Sequence, residues 1–469
     1  MDKPGNRVFY YCYIGILCWL PIPLASKSNL AQDFFVILAS LLSCFCCYTY
    51  GSSKKTLPVA MRKATPACFL FVLFLLWQAC QLIPLPLYLV SILSPVRTHF
   101  PGLEQQPNMT LSFHPATTWH QLLLGTGYFE LFVLTLVLVN TQDRLKKLLY
   151  AILIMGLIES IYAALMTLSG IEKELWFNKT AHIGTATGTL VNRNHLANYL
   201  TICIAAGIGL LLANRNGSTP HTWRAWVRSV FGWLLGSKGF IRFSIILMVI
   251  GLILTRSRMG ATAFFSSLTI TAFLWLVLSR KLNKSTMILF ASLLIIDLFI
   301  LGSWFGVGKT IDRIQTINPE QESRSQMLPF METMAKDFWI SGTGAGTFAE
   351  TFPLYKQQLV RARYNEAHCD YLQFLIENGV IGITPLLLLV LLSFIKTVQT
   401  IHSRHSSFLV ATGFSILMVL GAVAIHTTVE YILQRPATAS LFVVFLALPW
   451  VTLSMETEHG RNRKKSHSV

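Results

Sequence analysis

The chain has 469 residues, of which 53% are hydrophobic and only 13% charged, and it carries a formal net charge of +17. A soluble globular domain carries about 25% charged residues, so that class is excluded. A nucleic-acid surface is excluded too, because the basic residues form no stripe; they fill short loops between long apolar runs, which is the pattern of a membrane protein.

Lys3 and Arg7 precede an apolar stretch from Val8 to Leu24. Further spans follow at once and no clear cleavage site appears, so this reads as a retained first span rather than a signal peptide. With it, the apolar segments 8–25, 31–50, 66–93, 120–140, 148–169, 189–213, 240–255, 260–279, 285–303, 379–396, 408–427 and 436–454 predict about twelve transmembrane helices. Each is long enough to cross roughly 30 Å of hydrocarbon. Pro84 and Pro86 should break the overlong third segment near its end. The expected fold is an all-α polytopic membrane protein. Helices one to nine occupy 1–303, a long loop 304–378, helices ten to twelve 379–454 and a basic tail 455–469. No internal repeat is visible.

Charge in the short loops sets the expected orientation. Lys54, Lys55, Arg62 and Lys63, then Arg144, Lys146 and Lys147, then Arg215, Arg224, Arg228 and Lys238, then Arg280, Lys281 and Lys284, and finally Arg461, Arg463, Lys464 and Lys465 all fall on one side. That side is expected to be cytoplasmic, with both termini inside and 304–378 outside. Eight of the nine cysteines lie inside apolar runs and Cys369 stands alone in a polar segment, so no disulfide framework is implied.

The informative residues lie on the outer side. Before the sixth span, Asn192-Arg193-Asn194-His195 crowds polar groups onto a helix start, either as a polar cap or as an anion site led by Arg193. Thr255-Arg256-Ser257-Arg258 places two arginines in a short outer turn, against the charge bias. They either snorkel at a helix end or form a clamp, since guanidinium forks match phosphate oxygens. Met327, Phe330, Met331, Met334 and Phe338 recur at helical spacing, as a helix lying on the membrane surface or packed against the bundle. Gly342-Thr343-Gly344-Ala345-Gly346 reads as a turn, because no Gly-Lys-Ser/Thr follows to make it a nucleotide loop.

The long loop ends at Glu366-Ala367-His368-Cys369-Asp370-Tyr371. Asn365 is the expected N-cap, which puts His368 in a first helical turn, where the helix dipole favours a neutral ring. His368 is then either a general base or a structural histidine bonded to a carboxylate such as Asp370. Glu130, Glu159 and Asp297 lie within spans, and Glu430 could pair with Arg435. No spacing of His, Cys and acidic residues suggests a metal site.

From Gln81 to Ala437 the chain resembles the O-antigen ligase family and its relatives, the O-antigen polymerases and bacterial protein O-oligosaccharyltransferases. The segments that carry the likeness are Gln81–Pro86, Gly188–His195, Thr255–Gly260, Gly342–Phe348, Glu366–Gln373 and His426–Tyr431. Two positions depart from the family pattern. Cys369 stands where the family's His-Asn-Asp-Tyr motif has Asn, and no Trp follows Arg324, where the segment runs Gln326-Met327-Leu328.

The resemblance implies a reaction on the periplasmic face of a bacterial inner membrane, without cofactor or metal. A glycan carried on undecaprenyl diphosphate would move en bloc to a hydroxyl of a lipid A core, a growing glycan or a protein. It implies His368 as base and Arg193, Arg256 and Arg258 on the donor diphosphate, supported by Asn194, His195, Asp370, Tyr371 and Glu430. A polymerase or protein glycosyltransferase on the same scaffold is the nearest alternative. A transporter fits the span count, but transporters usually show a repeat and polar groups at the midplane; an inactive scaffold is a further alternative.

Overall fold

The computed structural model describes residues 4–52, 56–99, 107–213, 236–278, 319–356 and 364–455. In chain order the helices are α1 (Pro4–Trp19), α2 (Asn29–Ser52), α3 (Val59–Lys63), α4 (Thr65–Cys80), α5 (Leu87–Leu93), α6 (Pro115–Leu138), α7 (Gln142–Ser169) and α8 (Arg193–Ala213). They continue with α9 (Ser237–Leu254), α10 (Arg258–Leu278), α11 (Pro319–Asp337), α12 (Phe348–Thr351), α13 (Asp370–Ser403), α14 (Ser407–His426) and α15 (Pro436–Ser454). Two antiparallel ladders of two residues per strand, β1 (Leu85–Pro86) with β2 (Asn108–Met109) and β3 (Lys173–Glu174) with β4 (Phe177–Asn178), complete an otherwise all-α fold.

Among the described residues eight helices are long and apolar enough to cross a membrane: α2, α6, α7, α8, α10, α13, α14 and α15. The protein is a multi-pass membrane protein, with eight such helices among the described residues where about twelve are expected for the whole chain. The differences have physical causes. The first segment forms a helix of only 16 residues, α1, before Pro21 and Pro23 turn the chain. The third breaks as its prolines require, into the 16-residue α4, the strand Leu85–Pro86 and the short α5. The seventh becomes α9, which carries Lys238 and Arg242 in its first two turns. The ninth expected span, 285–303, with Asp297, lies outside the described residues, as do Lys54, Lys55, the basic stretches around Arg224 and Lys281, the tail 456–469, and loop residues 304–318 and 357–363.

Packing is layered around α8, α14 and α15. Helix α8 lies chiefly against α14, and α10 packs on α14 as well; α7 and α9 cover α8, while α6 covers α15. Helices α8 and α15 are buried along almost their whole length, and α13 is the most peripheral of the eight. This makes α8 and α15 the fixed axis of the bundle, so residues at their starts are held by the core rather than by loops.

Helix α13 runs over 34 residues in two helical pieces joined at a kink, and it begins nine residues earlier than the span expected at 379–396. Its backbone leaves the helical path at Gly379, where φ is 62° and a Cβ would lie 2.2 Å from Ile340 O. Only glycine fits there. The backbone groups freed by the break are satisfied from outside: Val380 N donates to Trp339 O (2.7 Å), Ile381 N to Ile340 O (3.4 Å), and Asn378 O accepts from Trp77 Nε1 (2.7 Å). The nine residues before Gly379 therefore belong to a crown, the end of the bundle that carries residues 319–356 and 364–378.

Helix α11 is part of that crown. Met327, Met331, Met334 and Phe338 are buried with Phe348, Phe352, Ala367 and Ile376 in a separate apolar cluster. Of the two arrangements open for this segment, packing holds: the methionine face meets the crown and the start of α13. The glycine run is a turn, as expected, with positive φ at Gly342, Gly344 and Gly346. A Cβ on Gly342 would lie 2.3 Å from Glu377 O, so the turn is pressed directly onto α13.

Candidate active site

Four helices, α8, α10, α13 and α15, begin in or beside one polar cluster at the crown. Helix α8 starts after Val191, which has φ 64°, and Asn192 caps it by accepting the Asn194 N–H on Oδ1 (2.7 Å). Arg193 is thus its first residue. Below, buried Glu159 of α7 accepts both the backbone N–H (3.0 Å) and the hydroxyl (2.7 Å) of Thr189, which anchors the turn into α8.

Helix α10 starts the same way. Ser257 is its cap: Oγ accepts the Gly260 N–H (3.1 Å), and its hydroxyl donates to Asn194 Oδ1 (2.6 Å). Arg256 precedes the cap in left-handed backbone (φ 51°), and Arg258 is the first helical residue. Arg193 and Arg258 therefore sit at the positive ends of two helices, where the helix dipole favours an anion. Arg193 is half-buried, and Arg256 and Arg258 are exposed. The bond from Ser257 to Asn194 joins the two arginine-bearing starts.

Asn194 continues the chain of contacts. Its Nδ2 donates to Glu430 Oε1 (2.6 Å), and Glu430 Oε2 lies 3.4 Å from His368 Nδ1. Glu430 is 2% exposed and His368 26%. The Tyr431 ring stands edge-on to both His195 (4.8 Å between centroids) and His368 (4.7 Å). Arg435 reaches over the same ring at 5.2 Å and pairs with Glu366 (3.4 Å). Neither ring nitrogen of the buried His195 meets a hydrogen-bond partner, and the same is true of Oδ1 of Asn198 and Nε2 of His426; Asn198 Nδ2 and His426 Nδ1 are 3.2 Å apart.

Three expectations for this segment are corrected. The cap of α13 is Cys369, not Asn365, so His368 precedes the helix, in left-handed backbone (φ 52°), rather than occupying its first turn. The carboxylate beside His368 is Glu430 and not Asp370. Asp370 is buried and committed elsewhere, accepting from Leu433 N (2.9 Å) and Gln434 Nε2 (3.3 Å), which pins the loop before α15. Finally, the acid paired with Arg435 is Glu366 rather than Glu430. Tyr371 is exposed and donates to Ala424 O (3.0 Å). Cys369 makes no capping hydrogen bond, and burial pushes its thiol up, so it stays uncharged.

Sequence reading singled out the arginines of Thr255–Gly260 and passed over Ser257 between them. A Ser three residues before the small residue Gly260, at the head of an apolar run, was a legible cap signal. Tyr431 and Gln81 carry no distinct signal of their own in the sequence. Gln81, fully buried, donates to both Ser341 O (2.8 Å) and Glu377 O (2.9 Å) and accepts from Ala345 N (3.1 Å). It ties the glycine turn to α13.

Residues 243–387 match the profile of the O-antigen ligase family. Over that stretch the chain is similar to the O-antigen ligase family. The match covers about a third of the chain, from α9 to the middle of α13. It takes in Arg256, Ser257, Arg258 and His368, and leaves Arg193, Asn194 and Glu430 outside it. No curated protein matches the chain. That similarity is consistent with lipid-linked glycan transfer in general. Among the described residues no group of three or more His, Cys, Asp or Glu side chains is placed to hold a metal ion.

Proposed function

We propose that this protein is a glycosyltransferase of the O-antigen ligase type. It moves a glycan en bloc from undecaprenyl diphosphate to an acceptor hydroxyl of the kind a lipid A core presents. The reaction takes place on the periplasmic face of a bacterial inner membrane, with the crown outside and both termini in the cytoplasm. One observation carries the reading: the chain His368–Glu430–Asn194–Ser257, which links a half-exposed histidine to two helix starts that each bear arginine.

The chemistry follows from that arrangement. The diphosphate meets Arg193, Arg256 and Arg258 together with the free N–H groups of α8 and α10, which offset its charge. Glu430 accepts from Nδ1 of His368 and leaves the lone pair on Nε2. As the acceptor oxygen bonds to the anomeric carbon, its proton passes to Nε2. The bond from that carbon to the phosphate oxygen breaks, and the electron pair leaves with the diphosphate. No separate acid is required, because the leaving group is already stabilised by cations.

His368→Ala in a reconstituted membrane with supplied donor should lower transfer by about 10²–10⁴-fold. Transfer near the wild-type rate would remove His368 from the base role. Orientation has its own check. A periplasm-active reporter should be active at Gln321 and silent at Gly217, and the reverse pattern would overturn the topology.

A further inference from the structure

The start of α13 also borders a cavity of about 220 Å³ set between α4, α6, α13, α14 and α15. Its lining is graded along the bundle. At the crown end it presents Gln78, Gln121, Asp370, Glu377, Asn378 and Gln434. Away from the crown it is hydrocarbon: Phe71 lies two turns into α4 from Gln78, and Leu446 lies about 15 Å along α15 from its start, with Leu389 and Leu420 between the same helices. Leu387 and Tyr371, both on the cavity wall, are 49% and 40% exposed, so the wall opens sideways onto the membrane-facing surface.

One polar atom in this lining is unanswered. Gln78 is buried, and its Oε1 has no hydrogen-bond partner. The orientation of its amide is fixed by its neighbour. Asn378 donates Nδ2 to Phe374 O (3.3 Å) and so turns Oδ1 toward Gln78, whose Nε2 faces it at 3.4 Å. The carbonyl oxygen is left as an acceptor in want of a donor. No Lys, Arg or His lines the cavity, so nothing there offsets the charge of an anionic head.

We propose that this cavity is a lipid site for a single hydrocarbon chain bearing an uncharged, hydroxylated head, such as a monoacylglycerol. The head-proximal part of the chain fills the apolar length and the rest leaves through the lateral mouth, since an apolar cavity is a site for apolar groups, and a head-group hydroxyl donates to Gln78 Oε1. The site is separate from the arginine cluster and does not hold the diphosphate of a donor. Its occupancy needs no donor and no turnover, so it stands or falls independently of the transferase reading.

The test is native mass spectrometry of the full chain in detergent with 1-monooleoylglycerol or oleate, which share a chain and differ in head. One monooleoylglycerol should bind per protein, with oleate about ten-fold weaker. Gln78→Leu removes the acceptor at similar volume and should weaken monooleoylglycerol by about three- to ten-fold while leaving oleate unchanged. Ala439→Phe fills the cavity from α15 and Leu387→Trp closes its lateral mouth; each should reduce monooleoylglycerol binding by about ten-fold or more. Because Leu387 is exposed, that variant keeps the test sound if Ala439→Phe fails to fold. Oleate binding as tightly as monooleoylglycerol, an unaffected Gln78→Leu, or normal binding to a folded occluded variant would each overturn the proposal.

Discussion

Residues 366–379 have two sides that are built differently. On one, His368 is held by a single 3.4 Å contact to Glu430 and an edge-on ring, in left-handed backbone. On the other, Glu377 is buried and fully engaged: Oε2 accepts from Gly346 N (3.0 Å), Oε1 from Gln373 Nε2 (3.1 Å), and its backbone oxygen from both Gln81 and Gly344. The first side leaves a ring nitrogen available; the second leaves nothing available. A lightly held group can exchange partners during a reaction, and a knot of short bonds keeps its backbone in place while it does.

The contrast can be broken most forcefully at the knot. Glu377→Ala would remove the acceptor of the half-buried Gly346 N–H and one of the two acceptors of Gln373 Nε2, and leave a cavity, at a cost of about 3 kcal/mol. We expect protease cleavage within 339–356 and loss of transfer together; a protein that keeps its melting temperature would show that the knot is not what secures the crown. The opposite side should respond in rate alone. Glu430→Gln keeps the volume but weakens the acceptor facing His368, and kcat should fall by about ten-fold or more. Its melting temperature should stay within about 2 °C of the wild type. A fall in stability matching the fall in rate would make Glu430 structural.

Two smaller effects sharpen the comparison. Cys369 caps α13 without a side-chain hydrogen bond, whereas Asn is among the best capping residues. Cys369→Asn should therefore raise stability by about 0.5–2 kcal/mol, read as a higher melting temperature. The smallest effect lies in the 172–184 loop, where the Gly184 N–H, then Lys179, hold Glu172 below the usual carboxylate range. A depressed carboxyl stabilises above its unfolded value and loses that contribution as pH falls through the folded one. Amide exchange at Gly184 should accordingly quicken only on acidification below the ordinary glutamate range; the same quickening at neutral pH would point to another cause.

Much of the fold could be read directly. Apolar length located α2, α6, α7, α8, α14 and α15, and Pro84 and Pro86 broke the third segment where they stand. Length failed where a helix outruns its apolar part. Asp370, Glu377 and Asn378 fall outside the apolar span at 379–396, yet they belong to α13 because Thr427, Gln81, Gly346 and Trp77 answer their polar groups from elsewhere in the chain. The same limit governed the candidate site. His368 and the arginines announced themselves by type and place. Glu430 as the partner of His368, and Ser257 as the link to Asn194, depend on residues 62 and 63 positions apart meeting in space, and no local spacing encodes that.

Val191, Arg256 and His368 share a property that motif and charge do not reveal: each sits at positive φ, where a side chain costs about 1–2 kcal/mol relative to ordinary backbone. Glycine would relax all three. A stability screen blind to function would thus be drawn to these positions, and its winners would carry Arg256→Gly or His368→Gly, sturdier proteins that lack a residue of the proposed site. On the proposed reading, the cation and the imidazole kept there are places where durability is yielded to chemistry.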